Sequence, residues 1–475
     1  MLRRVVLAMM VVAAQTGAQL APADSASRWV DSIFAPYDSR QSPGCAVAVT
    51  QNGVVTLAKG YGMADLEHDS PITRDTRFYI ASISKQFTAM SIVLLEQQHL
   101  LSLDDSIQKW VPEVPSFGAT ITLRHLLHHT SGLRDYFTLL AVSGWPSDGH
   151  LTDQQFLNLV GRQKSLNFQP GDEFLYSNTG YVLLSIVVKR ASGQSLRDFA
   201  AERIFQPLGM AHTEFRDDHN ALIPQRALGY QPNGSTYRIS QPEFDVVGDG
   251  GVYSTVEDLA TWDANFRSGR VGGKEAIALL QAPGALNDGQ IIPYALALTI
   301  GQFRGLKTYS HGGSYGGYQS ALLRFPDKGL SVITLCNTSI ASSTLAEQVG
   351  SVFLRLASQK PTVAAIDLST SLLSAGAQTQ TDSVAPLRPA AQLAQLVGNY
   401  YSDELDMPVT LVARDGILVI QRRRAADLRF IPLATDLYTN SDKMLLRVMR
   451  ADGGTVTGFT LTISRVRDLQ FVRRE

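Results

Sequence analysis

Strand-like runs stand at both ends of a long helical middle, and this arrangement limits the possible folds more than any other feature of the chain. Residues 46–50 ("AVAVT") and 54–59 ("VVTLAK") are matched much later by 321–325 ("ALLRF") and 330–335 ("LSVITL"). All four runs are short and rich in aliphatic or β-branched residues, and the segment between them has helical periodicity. A sheet assembled from both ends, beside a mostly helical lobe, buries all four runs and predicts an α+β domain over residues 25–358. "RFPDKGLSV" reads as the hairpin turn joining the last two strands, punctuated by Pro326 and Gly329.

Beyond that domain, residues 359–392 are rich in Ala, Ser, Thr, Gln and Pro and read as a linker. Residues 393–475 then show short alternating runs, notably "VTLVARDGILVIQ" with Asp415-Gly416 as its turn. They predict a small antiparallel β domain, barrel-like in form. At the other end, "MLRRVVLAMMVVAAQTGAQ" combines a basic start, an apolar run and small residues, as secretory signal peptides do. A signal over residues 1–18, cleaved after Ala18, makes the expected product exported, periplasmic or secreted. No later run of eighteen apolar residues is present, so no transmembrane segment is expected after signal removal.

Charge narrows the partners. Lys and Arg total 42 against 43 Asp and Glu. That balance offers no footprint for nucleic acid, and a small-molecule or peptide substrate is expected. The oligomeric state is left open. The two cysteines, Cys45 and Cys336, exclude a cysteine-rich metal site; they are either paired across two strands or buried as free thiols.

Three segments carry candidate chemistry. In "FYIASISKQFTAM", Ser82 precedes Lys85 by three residues, on one face of a helix that is apolar nearly all round. A lysine in the first turn of a buried helix is costly without a partner or a role. It can activate the hydroxyl either as a neutral amine or as a cation stabilising an anion. In "FQPGDEFLYSNTGYVLL", Tyr176 and Asn178 open another apolar helix, and a cation near a phenol makes a usable general base. In "YSHGGSYGGYQSALLRF", His311 and glycines precede a strand whose edge N–H groups can face an oxyanion.

Several patterns resemble chemistry without supporting it. Ser106 and Lys109 repeat the Ser-x-x-Lys spacing, but follow two aspartates in what reads as an exposed short helix. Tyr438 to Asn440 repeats Tyr-x-Asn within the β domain. Ser314 sits in a Gly-x-Ser-x-Gly pattern, yet no histidine follows it, as a nucleophile elbow requires. His125, His128 and His129 have helical spacing for a metal, but the glutamate of an H-E-x-x-H site is missing, and capping with buried hydrogen bonding is the preferred reading. Arg422 to Arg424 reads as solvated surface.

Taken together, "FYIASISKQFTA", "LSLDDSIQKWVP", "ITLRHLLHHTSGL", "FQPGDEFLYSNTGYVLL", "IFQPLGM", "GDGGVYSTVEDLATW" and "SHGGSYGGY" stand in the order and approximate spacing of the serine β-lactamase-related family. The chain resembles the branch with class C β-lactamases, D-alanyl-D-alanine carboxypeptidases, D-aminopeptidases and esterases. The resemblance implies a β-lactamase/transpeptidase-like fold with a five-stranded antiparallel sheet flanked by helices. It implies Ser82 as acylated nucleophile, Lys85 as its activating partner and Tyr176 as general base. Asn178, His311 and Gly313 are implied to contact substrate, and the backbone N–H groups of Ser82 and Ser314 to form an oxyanion hole. No metal or organic cofactor is implied.

The expected function is that of an exported serine hydrolase forming an acyl-enzyme on peptides with D-residues, carboxylic esters or related amides. A class C-like β-lactamase and a non-catalytic sensor or binding protein are the alternatives. Where many such β-lactamases carry lysine this chain has His311, so a substrate carboxylate would meet a charge there only as imidazolium, lost as pH rises through roughly 6 to 7. The β domain has either a stabilising role or one in covering or shaping the substrate entrance.

Overall fold

The computed structural model describes residues 23–146, 149–354, 390–423 and 425–474. The signal peptide expected over residues 1–18, and almost all of the linker expected over 359–392, fall outside the described residues. Among the described residues, no helix is long and apolar enough to cross a membrane.

The chain opens with α1 (Ala23–Phe34), followed by β1 (Cys45–Gln51) and β2 (Val54–Tyr61). The helical middle includes α2 (Lys85–Gln97), α3 (Asn178–Ser192) and α4 (Val256–Ser268). Next come β3 (Thr299–Phe303), β4 (Leu306–Tyr315), β5 (Tyr318–Phe325), β6 (Leu330–Cys336) and α5 (Ser342–Leu354). The sheet has the order β3-β4-β5-β6-β1-β2 with every neighbouring pair antiparallel. It therefore joins the two ends of the domain at β6·β1, as the sequence predicted, but with six strands in place of five. The additional strand is the edge strand β3, "TIGQF", whose glycine, glutamine and half-exposed positions leave no apolar run to read.

Both faces of the central strands are covered, which explains their nearly continuous apolar sequence. Along β1, Ala46 and Ala48 pack into the core shared with the helical lobe, while Cys45, Val47 and Val49 face α1 and α5. Cys45 lies directly opposite Cys336, and the two form a disulfide that links β1 to β6.

After the main domain, eight strands close into an antiparallel barrel: β7 (Gly398–Ser402), β8 (Met407–Arg414), β9 (Ile417–Gln421), β10 (Leu428–Ala434), β11 (Leu437–Thr439), β12 (Leu445–Arg450), β13 (Val456–Ile463) and β14 (Val466–Arg474). Pairing of Asn399 with Arg474 shuts the ring, which removes the free edges an open sheet would present. Asp415 (φ 50°) and Gly416 (φ 77°) both take the left-handed conformation that a two-residue hairpin loop demands.

The barrel is docked on the helical lobe by buried polar contacts. The Arg134 guanidinium pairs with Glu404, and both side chains are almost wholly buried. Arg134 Nη2 also donates to the carbonyl of Arg467 at 2.7 Å, and Arg467 pairs with Glu173 at 2.9 Å. Arg422 donates to the carbonyl of Ala141 at 2.8 Å, so it is a docking contact and not the solvated surface expected of the arginine run. Arg424 lies outside the described residues.

Candidate active site

Ser82 lies in a tight 3-10 turn, Ala81–Ser84, and Lys85 is the first residue of α2. Ala81 enters that turn with φ 46°, a left-handed conformation that costs an alanine on the order of 1 kcal/mol or more and persists only where surroundings enforce it. The enforcing contact is β4. A Cβ at Gly313 would stand 2.3 Å from the carbonyl oxygen of Ile80, so only glycine lets the strand approach the turn this closely.

Lys85 is fully buried, and its ammonium nitrogen is a hub. It lies 3.1 Å from Ser82 Oγ, 2.9 Å from Asn178 Oδ1 and 2.6 Å from the carbonyl oxygen of Asp249. Three acceptors match the three hydrogens of an ammonium group. Asn178, the first residue of α3, is held by Asp135, whose Oδ2 accepts from the Asn178 backbone N–H at 2.8 Å and from Nδ2 at 3.0 Å. The amide oxygen is thereby turned toward Lys85. Burial raises the Asp249 carboxyl to a pKa of about 6, and Tyr136 Oη donates to it at 3.0 Å.

Tyr176 stands beside this hub, with Lys85 Nζ 5.0 Å from its ring centroid. Its hydroxyl is buried and has no hydrogen-bond partner among the described residues. An orphaned buried hydroxyl costs stability and therefore points to a partner that arrives with a ligand.

His311 belongs to a chain of neutral hydrogen bonds. The backbone N–H of Ser177 is 3.2 Å from His129 Nδ1, His129 Nε2 is 3.2 Å from Tyr294 Oη, Tyr294 Oη is 3.1 Å from His311 Nε2, and His311 Nδ1 is 2.6 Å from the Gly312 carbonyl. One hydrogen per link satisfies the chain when both imidazoles are neutral. Burial, helped by the Lys85 charge, lowers the His311 pKa to about 4. The imidazolium considered from the sequence therefore does not form near neutral pH, and both ring nitrogens already have partners.

A cavity of about 720 Å³ opens over these groups. Ser82, Tyr176, Asn178, His311, Gly313 and Ser314 all line it, so the structure gathers the predicted site residues around one space. Phe137 and Tyr315 add an aromatic wall, their ring centroids 5.1 Å apart. Arg465, from the turn between β13 and β14, also lines the cavity, so the barrel reaches the site.

The look-alike patterns have other duties. Ser106 caps a short helix by accepting from the Gln108 N–H, and Lys109 pairs with Asp105 at 2.7 Å. His125 closes a capping box with Thr122, while His129 joins the chain above, so the three histidines do not converge on a metal. Tyr438 is in the barrel core. Ser314 Oγ accepts from Gln319 Nε2 at 2.7 Å. Sequence reasoning assigned no role to Asp135, Asp249 or Arg465. The glycine-flanked "GDGG" was a local signal for Asp249, whereas Arg465 is one of many arginines with nothing nearby in sequence to mark it.

Comparison with known proteins agrees with this geometry. Residues 30–348 match the family described as Beta-lactamase. Penicillin-binding protein 4* of Bacillus subtilis (strain 168) is 31% identical over 65% of this chain and 71% of its own length. A D-aminopeptidase of Brucella anthropi is 28% identical over 82% of this chain and 75% of its own. Among solved structures, the octameric penicillin-binding protein homologue from Pyrococcus abyssi superposes with a TM-score of 0.61 at 24% identity, covering 95% of this chain and 100% of that one.

Proposed function

Because the chain belongs to the Beta-lactamase family, and is a serine hydrolase of that fold, we propose that it works through an acyl-enzyme on Ser82. The observation that carries this reading is the Lys85 hub, which joins the Ser82 hydroxyl to Asn178 and the Asp249 carbonyl at the floor of the cavity. A buried lysine with three acceptors acts as a fixed cation, favouring negative charge on the oxygen beside it. Tyr176, acting as the phenolate beside the Lys85 cation, takes the Ser82 proton as Oγ bonds to the substrate carbonyl carbon. The same proton passes to the leaving nitrogen or oxygen as its bond to carbon breaks. Water then attacks the ester, gives its proton to Tyr176 and releases the acid, with Ser82 Oγ reprotonated. The N–H groups of Ser82 and Ser314 hold the oxyanion in both steps, and Asn178 and Gly313 contact the substrate.

The proposed substrates are carboxylic esters, related amides and peptides with D-residues, and the proposed location is outside the cytoplasm after removal of residues 1–18. The aromatic wall of Phe137 and Tyr315 suits an apolar substituent next to the scissile carbonyl. Intact-mass spectrometry after exposure to a fluorophosphonate, and separately to a penicillin, tests the reading. One adduct is expected, lost in Ser82→Ala and kept in Ser106→Ala. A folded protein that takes no adduct from either probe would favour a binding role. N-terminal sequencing of the secreted product tests export.

A further inference from the structure

We infer that Arg465 is a specificity-determining residue, supplied by the barrel to bind an anionic group of the substrate, a carboxylate in the first instance. This rests on the acyl-enzyme reading above and adds the substrate class to it.

The turn carrying Arg465 is anchored to the helical lobe through its backbone. The Arg465 carbonyl accepts from Asn167 Nδ2 at 2.9 Å and from the Asp135 N–H at 3.3 Å, and the next arginine in the strand pairs with Glu173. The guanidinium is thus delivered to a defined place, 4.8 Å from the Tyr176 ring centroid, on the same ring that Lys85 approaches. There it makes no side-chain hydrogen bond to any described residue. The anion nearest to it is Asp135, at 3.9 Å. That carboxylate is already engaged by the backbone and side-chain amides of Asn178 and by Thr138.

An arginine fork held a quarter exposed, on the wall of a cavity and with no side-chain hydrogen bond to any described residue, matches a planar oxyanion better than it matches solvent. Electrostatics elsewhere in the cavity support the assignment. Lys85 is committed to three acceptors, and His311 is neutral with both nitrogens used, so neither offers free positive charge to a carboxylate. Glu347 lies on the cavity wall as well and repels a second anion there, which leaves the Arg465 side as the place for one. Substrates with a carboxylate near the scissile carbonyl are therefore preferred over their uncharged analogues.

The test compares kcat/KM for a carboxylate-bearing aryl ester and for its carboxamide analogue, in wild type, Arg465→Gln and Arg465→Lys. Wild type should prefer the carboxylate, the ratio should fall about 10- to 100-fold in Arg465→Gln, and Arg465→Lys should recover part of it. A second arm needs only the wild type: an N-acyl amino acid should inhibit competitively and its amide should inhibit at least about tenfold more weakly, in proportion to one charge-assisted bond. An equal loss on both esters with a shifted pH profile would mean that Arg465 acts through Tyr176, and overturns the proposal, as does absence of a carboxylate preference in wild type. Fluorophosphonate labelling of Ser82 is read in parallel, so that failure of the acyl-enzyme reading shows as lost labelling and is distinct from failure of the arginine assignment.

Discussion

Lys85 Nζ donates to Asn178 Oδ1 at 2.9 Å, tying the first turn of one buried helix to the first residue of another across 93 positions of sequence. The same nitrogen reaches Ser82, so the candidate nucleophile is oriented by a residue whose own place depends on both helices. Lys85→Ala removes the cation and leaves three acceptors unpaired in the interior. Fluorophosphonate labelling of Ser82 is expected to slow by at least about 10³-fold. Labelling at the wild-type rate in a folded Lys85→Ala protein would falsify the hub as an activating device.

Tyr176 carries a buried hydroxyl with no hydrogen-bond partner among the described residues. If that hydroxyl moves the proton, Tyr176→Phe lowers kcat on esters by about 10²- to 10⁴-fold. Because the change deletes an unsatisfied polar atom, the thermal midpoint should hold or rise slightly. A joint fall in both quantities would point to a structural role for this hydroxyl.

Acid should weaken the fold through its buried imidazoles. Burial lowers His128 and His311 to pKa values of about 4, and holds His129 well below its usual value. Between about pH 6.5 and pH 4 the unfolded chain takes up more protons than the folded one, so stability falls as pH falls through that window. Each of the first two groups contributes on the order of 3 kcal/mol to the change. Asp249, raised to about 6, acts in the opposite direction but is a single carboxyl. Urea midpoints at pH 7, 5.5 and 4.5 check the sign, and His311→Asn should flatten the decline. From pH 6 to 8, kcat/KM should show no step from His311.

Arg134 and Glu404 form a buried ion pair between lobe and barrel. Removing either partner strands the other charge, at a cost of about 3–5 kcal/mol, whereas the double substitution should cost less than the sum of the two. Differential scanning calorimetry of Arg134→Ala, Glu404→Ala and the pair gives the coupling directly. Additive single effects would show that the pair is not a unit. Since Arg465 lies on the same docked barrel, the single variants should also lose preference for anionic esters.

Much of this protein was legible from short windows of sequence. Strand-like runs around Val47 and Ile333 marked a sheet assembled from both ends of the domain, and Asp415-Gly416 marked a hairpin of the β domain, because these patterns act within a few residues. The Ser82 and Lys85 spacing was likewise local, since three positions on a helix place two side chains on one face. Edge strand β3 was missed because "TIGQF" is ordered by its neighbour β4 and not by its own hydrophobicity.

What the tertiary structure decided lies in contacts across long separations. Whether Lys85 is paired depends on Asn178 and Asp249, 93 and 164 residues away, and whether His311 is charged depends on burial and on Tyr294. Arg465 reaches the cavity only because a barrel closes and docks through Arg134 and Glu404. Periodicity determines what one segment becomes, since hydrogen bonds and side-chain faces repeat along it. Charge state and partnership arise from what surrounds a group in space, and folding the whole chain is what brings those surroundings together.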